Sequence, residues 1–322
     1  MDESAYKVHR TIIGCTMVFL QFFGFFGNLN LILIHVKNTK LRTKYGLLLC
    51  TMVLVQTVCL LNESANVGFS ISVLFYNHQI TRLECRNAML FYIFLFCVQI
   101  GFMASISFDL VFAMVKPILY KTIPNVPYVV VLTTPSLFYG GYLFVLTAME
   151  TDDGEISMCN PPSAMTPSIS EKFYLVTMMN LFLTVFFYIV AYSFLYAKKR
   201  SKRLGSLTVE KKALKALKFL ILLFIVFRFT SILNVTAMQL LGINEKYIAI
   251  AKNYNGMVSL MCYAQNAYVC AFCSKEYRKL LHLQASKTTP FLKFLFPLGD
   301  GTSTVSVSQV KNFTTNDVSA VA

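Results

Sequence analysis

Asp109-Leu110-Val111-Phe112-Ala113-Met114-Val115-Lys116-Pro117-Ile118-Leu119-Tyr120 closes an apolar run that starts at Ala88 and carries no formal charge up to Phe108. An uncharged stretch of about 20 apolar residues is long enough to cross bilayer hydrocarbon as a helix. The chain leaves this span with an acid, a proline eight residues later and a tyrosine three after that, and Cys85 lies 24 residues before the acid.

The rest of the chain repeats the theme. Of 322 residues, 56% are hydrophobic and only 14% charged, and the mean hydropathy is +0.59. A soluble chain of this length carries far more charge, so the composition reads as a multi-spanning membrane protein. Apolar runs fall at 11–36, 46–69, 86–115, 127–148, 173–197, 214–241 and 247–273. Seven spans put the termini on opposite sides of the bilayer. The first run is too long for a signal-peptide core and reads as an uncleaved anchor. The expected organisation is an N-terminal segment over 1–10, a helical bundle over 11–273, an amphipathic helix over 274–286 and a disordered tail over 287–322.

The net charge of +14 does not point to nucleic acid, because it sits in loops rather than on one soluble surface. Of the 29 lysines and arginines, 21 fall in the first, third and fifth loops and the tail, seven on the other face, and Arg228 inside a span. Excess Lys and Arg marks the cytoplasmic side, so the expected topology has the N-terminus outside at the plasma membrane. The loop from Met149 to Glu171 holds five acids and no Lys or Arg, and on this topology it is extracellular.

The spacing of Cys85, Asp109, Pro117 and Tyr120 resembles the third helix of rhodopsin-like receptors, where a DRY triplet is followed by a proline and a tyrosine. Leu110 stands where that family has arginine. Gly27-Asn28 resembles the family's GN in the first span. Gln56 stands where relatives carry a sodium-binding aspartate. Asn266-Ala267-Tyr268-Val269-Cys270 resembles NPxxY without its proline and final tyrosine. The stretches GNLNLILI, KLRTKYGLLL, CLLNES and DLVFAMVKPILY are most similar to the nematode serpentine chemoreceptors of the SX class. The resemblance covers about residues 20–283. It implies a seven-helix G-protein-coupled receptor, an all-α membrane bundle that takes a ligand outside and a heterotrimeric G-protein inside. The chemosensory role and a place in the sensory cilium rest on that resemblance alone.

Candidate site residues follow. Cys85 and Cys159 both lie at the outer edge, where a disulfide would tie the acidic loop to the third helix and stabilise the fold by about 4 kcal/mol; two free thiols are the alternative. Asn28, Gln56, Gln99 and Asn266 lie in four different spans and are expected to form one interior polar network, since amides in hydrocarbon must find partners; pairwise helix-to-helix bonds are the alternative. Arg228 is expected to face the interior, with Glu63 or an anionic ligand as its partner, unless it snorkels or is paired structurally. Asp109, Leu110, Pro117 and Tyr120 form the expected coupling edge. Leu110 cannot place a cation in a G-protein groove, so coupling falls to the basic fifth loop and the neighbours of Pro117. A residue that only caps the membrane edge is the alternative reading of Asp109.

No metal site, cofactor or catalytic group is expected. The nine cysteines show no ligand spacing beyond a lone Cys270–Cys273 pair, and no span carries a His or Glu cluster for acid-base chemistry. A transporter or ion channel is disfavoured by the odd span count and the lack of internal repeats. A neuropeptide receptor of the same fold is the other reading within the class.

Overall fold

The computed structural model describes residues 3–76, 78–150, 152–156, 159–200, 241–289 and 294–296, with scattered positions between 219 and 238. The helices are α1 (Glu3–Lys37), α2 (Lys44–Tyr76), α3 (Arg82–Val115), α4 (Pro117–Thr122), α5 (Asn125–Met149), α6 (Pro161–Ala164), α7 (Pro167–Arg200), α8 (Glu245–Ala264), α9 (Asn266–Cys273) and α10 (Lys275–Thr288). Two short strands, β1 (Ile80–Thr81) and β2 (Glu155–Ile156), pair antiparallel with Ile80 opposite Ile156. Among the described residues, α1, α2, α3, α5 and α7 are long and apolar enough to cross a membrane. The expected sixth span, with Arg228, and most of the basic fifth loop lie outside the described residues.

α3 is the central helix. In its most apolar window 78% of residues are buried, against 22% in α7. It packs against α2, α5, α6 and α7. Its start is set by a capping box: the Thr81 hydroxyl accepts from the Glu84 N–H at 3.2 Å, and the Glu84 carboxylate accepts from the Thr81 N–H at 3.1 Å. Two backbone donors that a helix start leaves unpaired are satisfied this way. The outer helices turn apolar side chains such as Phe19, Phe138, Leu175 and Phe186 outward, as a helix facing lipid must.

α3 and α5 approach closely. A Cβ built on Gly140 would lie 2.9 Å from the Phe94 carbonyl oxygen and 2.7 Å from Val98 Cγ2. Ser105 Oγ donates across the same interface to the Leu132 carbonyl at 2.9 Å. Small residues at such crossings let backbones come together where no hydrophobic effect drives helix association.

One end of the bundle is closed by the loop after α5. Cys85 and Cys159 form a disulfide with Cα atoms 5.3 Å apart, and both are fully buried. The Arg82 N–H donates to the Gly154 carbonyl at 2.9 Å, and the Arg82 guanidinium pairs with Asp152. The Gly154 N–H and then that guanidinium hold the Asp152 carboxyl below the usual carboxylate range. The loop thus lies across the top of α3 and leads into α6, which packs on α3 and α7.

Two elements differ from expectation. α1 is helical from Glu3, so residues 3–10 of the segment read as an N-terminal tail belong to the first helix, and Arg10 is buried at 2% exposure. The seventh span is interrupted at Gln265, directly before Asn266. The expected amphipathic helix over 274–286 is α10, and it docks on α1. Leu281 and Ala285, one turn apart, are fully buried, Lys37 Nζ donates to Gln284 Oε1 at 2.9 Å, and Thr288 Oγ1 donates to Asn30 Oδ1 at 3.1 Å. Phe296 is buried beside the rings of Phe26 and Tyr268 at 5.9 and 5.4 Å. Lys37 to Phe26 is eleven residues of helix, or about 16 Å of rise, so this segment climbs along α1.

Gly140→Ala is expected to destabilise the protein by about 1–3 kcal/mol, because the backbone carbonyl of Phe94 cannot yield to a methyl group. Gly141, with no atom within 4 Å of a built Cβ, is the control, and Gly141→Ala is expected to be neutral or slightly stabilising. Thermal unfolding of the purified variants reads the difference.

Candidate functional site

A cavity of ≈ 80 Å³ opens beneath the disulfide-held loop. One water needs only about 10–15 Å³, so a small organic molecule fits. α2 supplies Glu63 and Asn66, α3 supplies Tyr92 and Phe96, and the Asn160–Pro162 corner roofs it. α7 adds Phe173, Tyr174 and Thr177, and α8 adds Lys252, Asn255, Gly256 and Ser259. The walls mix aromatic surface with a few polar groups, which is the usual make-up of small-molecule sites.

Glu63 is the polar anchor of this cavity, at 2% exposure. The Tyr92 hydroxyl donates to Glu63 Oε1, and Asn66 Nδ2 donates to Glu63 Oε2 at 3.2 Å. The Tyr92 and Tyr263 hydroxyls are 3.3 Å apart. From Tyr263 the chain of bonds continues downward. Its carbonyl accepts from Asn28 Nδ2 at 3.0 Å and from Asn266 Nδ2 at 3.2 Å, and Asn266 Nδ2 also donates to Gln56 Oε1. Polar groups from α1, α2, α3, α8 and α9 thus form two hydrogen-bonded sets joined through Tyr263, whose hydroxyl belongs to the upper set and whose carbonyl belongs to the lower.

The structure thus brings Gln56 and Asn266 together and joins Asn28 to them through the Tyr263 backbone. It does not join Gln99: that side chain is fully buried on α3, and neither its Oε1 nor its Nε2 bonds to a described residue. Glu63 lines the cavity as expected for a ligand-site residue, while Arg228, its suggested partner, lies outside the described residues.

At the opposite end, Asp109 is not at an open edge. It is buried at 3% exposure, and the Tyr120 hydroxyl donates to its Oδ2 at 3.5 Å. Pro117 starts α4, where its fixed φ suits the first helical turn, and α4 folds Tyr120 back over the acid. Burial and the neighbouring carboxylate push the Tyr120 phenol well above its ordinary value, so it stays a donor. Tyr120 and Tyr128 pack edge to face at 5.6 Å. Lys44 Nζ donates to the Tyr120 carbonyl and lies 4.4 Å from the Tyr120 ring centroid and 5.5 Å from that of Tyr128. A cation over an aromatic face at this range is attractive, and more so when desolvated. Leu110 is half-buried and packs into the apolar core. The cation at this end thus comes from α2.

Sequence reasoning missed Lys44 and Lys252, having counted both as loop charges. Lys252 sits two turns inside α8 and lines the cavity. An ionisable residue within an otherwise apolar span was the available signal. Tyr92 and Tyr263 carried none, since a tyrosine in a span reads equally as core.

No curated protein matches the chain. A family model described as serpentine type 7TM GPCR chemoreceptor Srsx matches residues 21–284, from the middle of α1 into α10. That family is one of receptors rather than enzymes, and its seven-helix architecture accounts for the five described spans, the broken α8–α9 span and the apolar run at 214–241. The chain is therefore a member of the Srsx family of serpentine seven-transmembrane chemoreceptors, an all-α, multi-pass membrane protein.

Proposed function

We propose that this receptor sits in the plasma membrane with its N-terminus outside, takes a small ligand into the cavity beneath the disulfide-held loop, and signals to a heterotrimeric G-protein at the Asp109 end. The orientation is supported by the 21 lysines and arginines on the Asp109 face against seven on the other. It is supported again by the disulfide, which belongs in an oxidising compartment.

The observation that carries the reading is the bonded path from Glu63 through Tyr92 and Tyr263 to Asn266 and Gln56. A ligand that repositions Glu63 or Tyr92 changes the partners of a group shared by three helices. Networks of this kind have few alternative arrangements at low dielectric, so they pass displacement along rather than absorb it. At the far end, Asp109, Tyr120, Tyr128 and Lys44 tie α2, α3, α4 and α5 together, and their release opens the face where a G-protein binds. Lys44 thereby takes over, from another helix, the cationic part that Leu110 cannot play.

An epitope inserted after Gly154 is expected to bind antibody on intact cells, and one appended to the C-terminus only after permeabilisation; the reverse pattern inverts the orientation and removes the signalling account. Asn266→Leu leaves Gln56 Oε1 without its donor. With an agonist found in a calcium-response screen, the variant is expected to need roughly ten times more agonist at unchanged surface level, as a lost buried hydrogen bond of about 1.5 kcal/mol implies. Because the two residues act through one bond, adding Gln56→Leu should cost little more. Fully additive losses would count against a shared path.

A further inference from the structure

α10 is tied to α9 at one end and to α1 along its length. At the junction the Arg278 guanidinium bonds two carbonyls at the end of α9: Nε donates to Ala271 O at 2.9 Å and Nη2 to Phe272 O at 3.1 Å. The last turn of a helix leaves such carbonyls unpaired, and a basic side chain that takes them fixes the join. The Tyr277 hydroxyl and His35 Nε2 lie 3.1 Å apart, and Lys37 and Asn30 hold Gln284 and Thr288 further on. Beyond α10, His282 Nδ1 donates to the Phe296 carbonyl at 2.9 Å and keeps that residue against the helix. The Phe296 ring is thereby seated, at 1% exposure, nearly parallel to the rings of Phe26 on α1 and Tyr268 on α9.

Tyr268 is where this seat bears on signalling. It lies two residues after Asn266 on α9, and its hydroxyl donates to the Phe23 carbonyl on α1 at 2.8 Å. Its ring passes so close to α1 that a Cβ on Gly27 would lie 3.0 Å from Tyr268 Cε2. The tip of the side chain is thus held by α1 backbone, and its ring is stacked on Phe296. α9 is only eight residues long and is parted from α8 at Gln265. Such breaks between elements are where hinge motion is absorbed. Any turn of α9 about this break moves Asn266 and drags Tyr268 away from Phe23 and Phe296. A contact made in one arrangement and lost in the other biases the balance between them by its own free energy.

We infer that the segment after α10 is a built-in brake: the Phe296 ring, seated on Tyr268 and Phe26, holds α9 in the resting arrangement, and signalling requires the ring to leave its seat. The same structure keeps Asp109 buried beneath Tyr120, which marks this arrangement as the resting one. The inference rests on the reading that the Asn266–Gln56 bond relays the ligand's effect. Emptying the seat favours the turned arrangement with no ligand at all.

The test needs no agonist. Full-length receptor in lipid nanodiscs is mixed with a panel of heterotrimeric G-proteins, and two quantities are read. One is uptake of a non-hydrolysable GTP analogue. The other is the rate at which a small maleimide labels Cys270, which lies on α9 at 1% exposure and therefore reacts through local opening. Phe296→Ala is expected to raise both by roughly three- to tenfold, the range that loss of an aromatic pair implies. Phe296→Leu keeps apolar bulk in the seat and should raise both by less; it decides the matter if the alanine variant folds poorly. Phe294→Ala, at a neighbouring ring that is 61% exposed, should change neither. A ring that only stabilised the fold would speed labelling without raising GTP uptake. The inference is overturned by that result, by no change in either quantity, or by Phe294→Ala acting as Phe296→Ala does. Adding Asn266→Leu to Phe296→Ala separates the two levels. If the rise in GTP uptake then disappears, brake and relay both stand. If it persists, the brake stands and the relay through Asn266 falls. If Phe296→Ala raises nothing while Asn266→Leu alone still needs more agonist, the relay stands and the brake falls.

Discussion

The Glu63 carboxyl, gripped by Tyr92 and Asn66, is the contact around which the bundle is organised. Hydrocarbon offers no water to a carboxyl or an amide, so each such group must be met by protein. Meeting Glu63 fixes the rotation of α2 against α3. The second tyrosine, Tyr263, carries the same requirement into α8, and its carbonyl gathers Asn28 and Asn266. Three helices that could otherwise slide on greasy faces are thereby held in register. Packing alone specifies such rotations weakly among lipid-soluble helices, whose flanks are all apolar.

The two ends of the bundle solve different problems. At one, a covalent bond and a two-strand pairing hold a loop over a cavity. At the other, no covalent tie is found among the described residues, and a buried acid is enclosed by phenols with a lysine across their faces. Cation-to-ring and long hydrogen-bond contacts are individually modest. One end is therefore built to stay and the other to yield.

Much of the fold was legible in sequence, because a membrane span advertises itself by length and lack of charge. The spans of α3 and α5 lie within a few residues of the apolar runs at 86–115 and 127–148, and the Cys85–Cys159 bond was the first of the two readings of the outer-edge cysteines, whereas the central place of α3 could not be read from its run. The polar site was half legible. Amides and acids in apolar spans are conspicuous, which is how Glu63, Gln56 and Asn266 stood out. Which of them meet depends on helix rotation and on tyrosines with no distinguishing pattern, so Tyr92 and Tyr263 stayed hidden and Gln99 was grouped with amides to which it makes no hydrogen bond. Lys252 was misread because loop counting assigns a charge near a span's end to water, although a cavity can hold it just as well. The Asp109 surroundings were read as open because the short α4 that covers it has too few residues to show a period.

The docking of α10 along α1 bears on how the receptor meets its own kind. The flank of α1 between Phe26 and Lys37 is occupied by Gln284, Thr288 and Phe296 from the same chain. A second receptor approaching by that flank would first have to strip this segment away and leave its buried leucine and phenylalanine facing lipid headgroups. Lateral pairing through the Phe26–Lys37 flank of α1 is thus closed, whereas Phe138 on α5 and Phe186 on α7 turn their rings outward among the described residues.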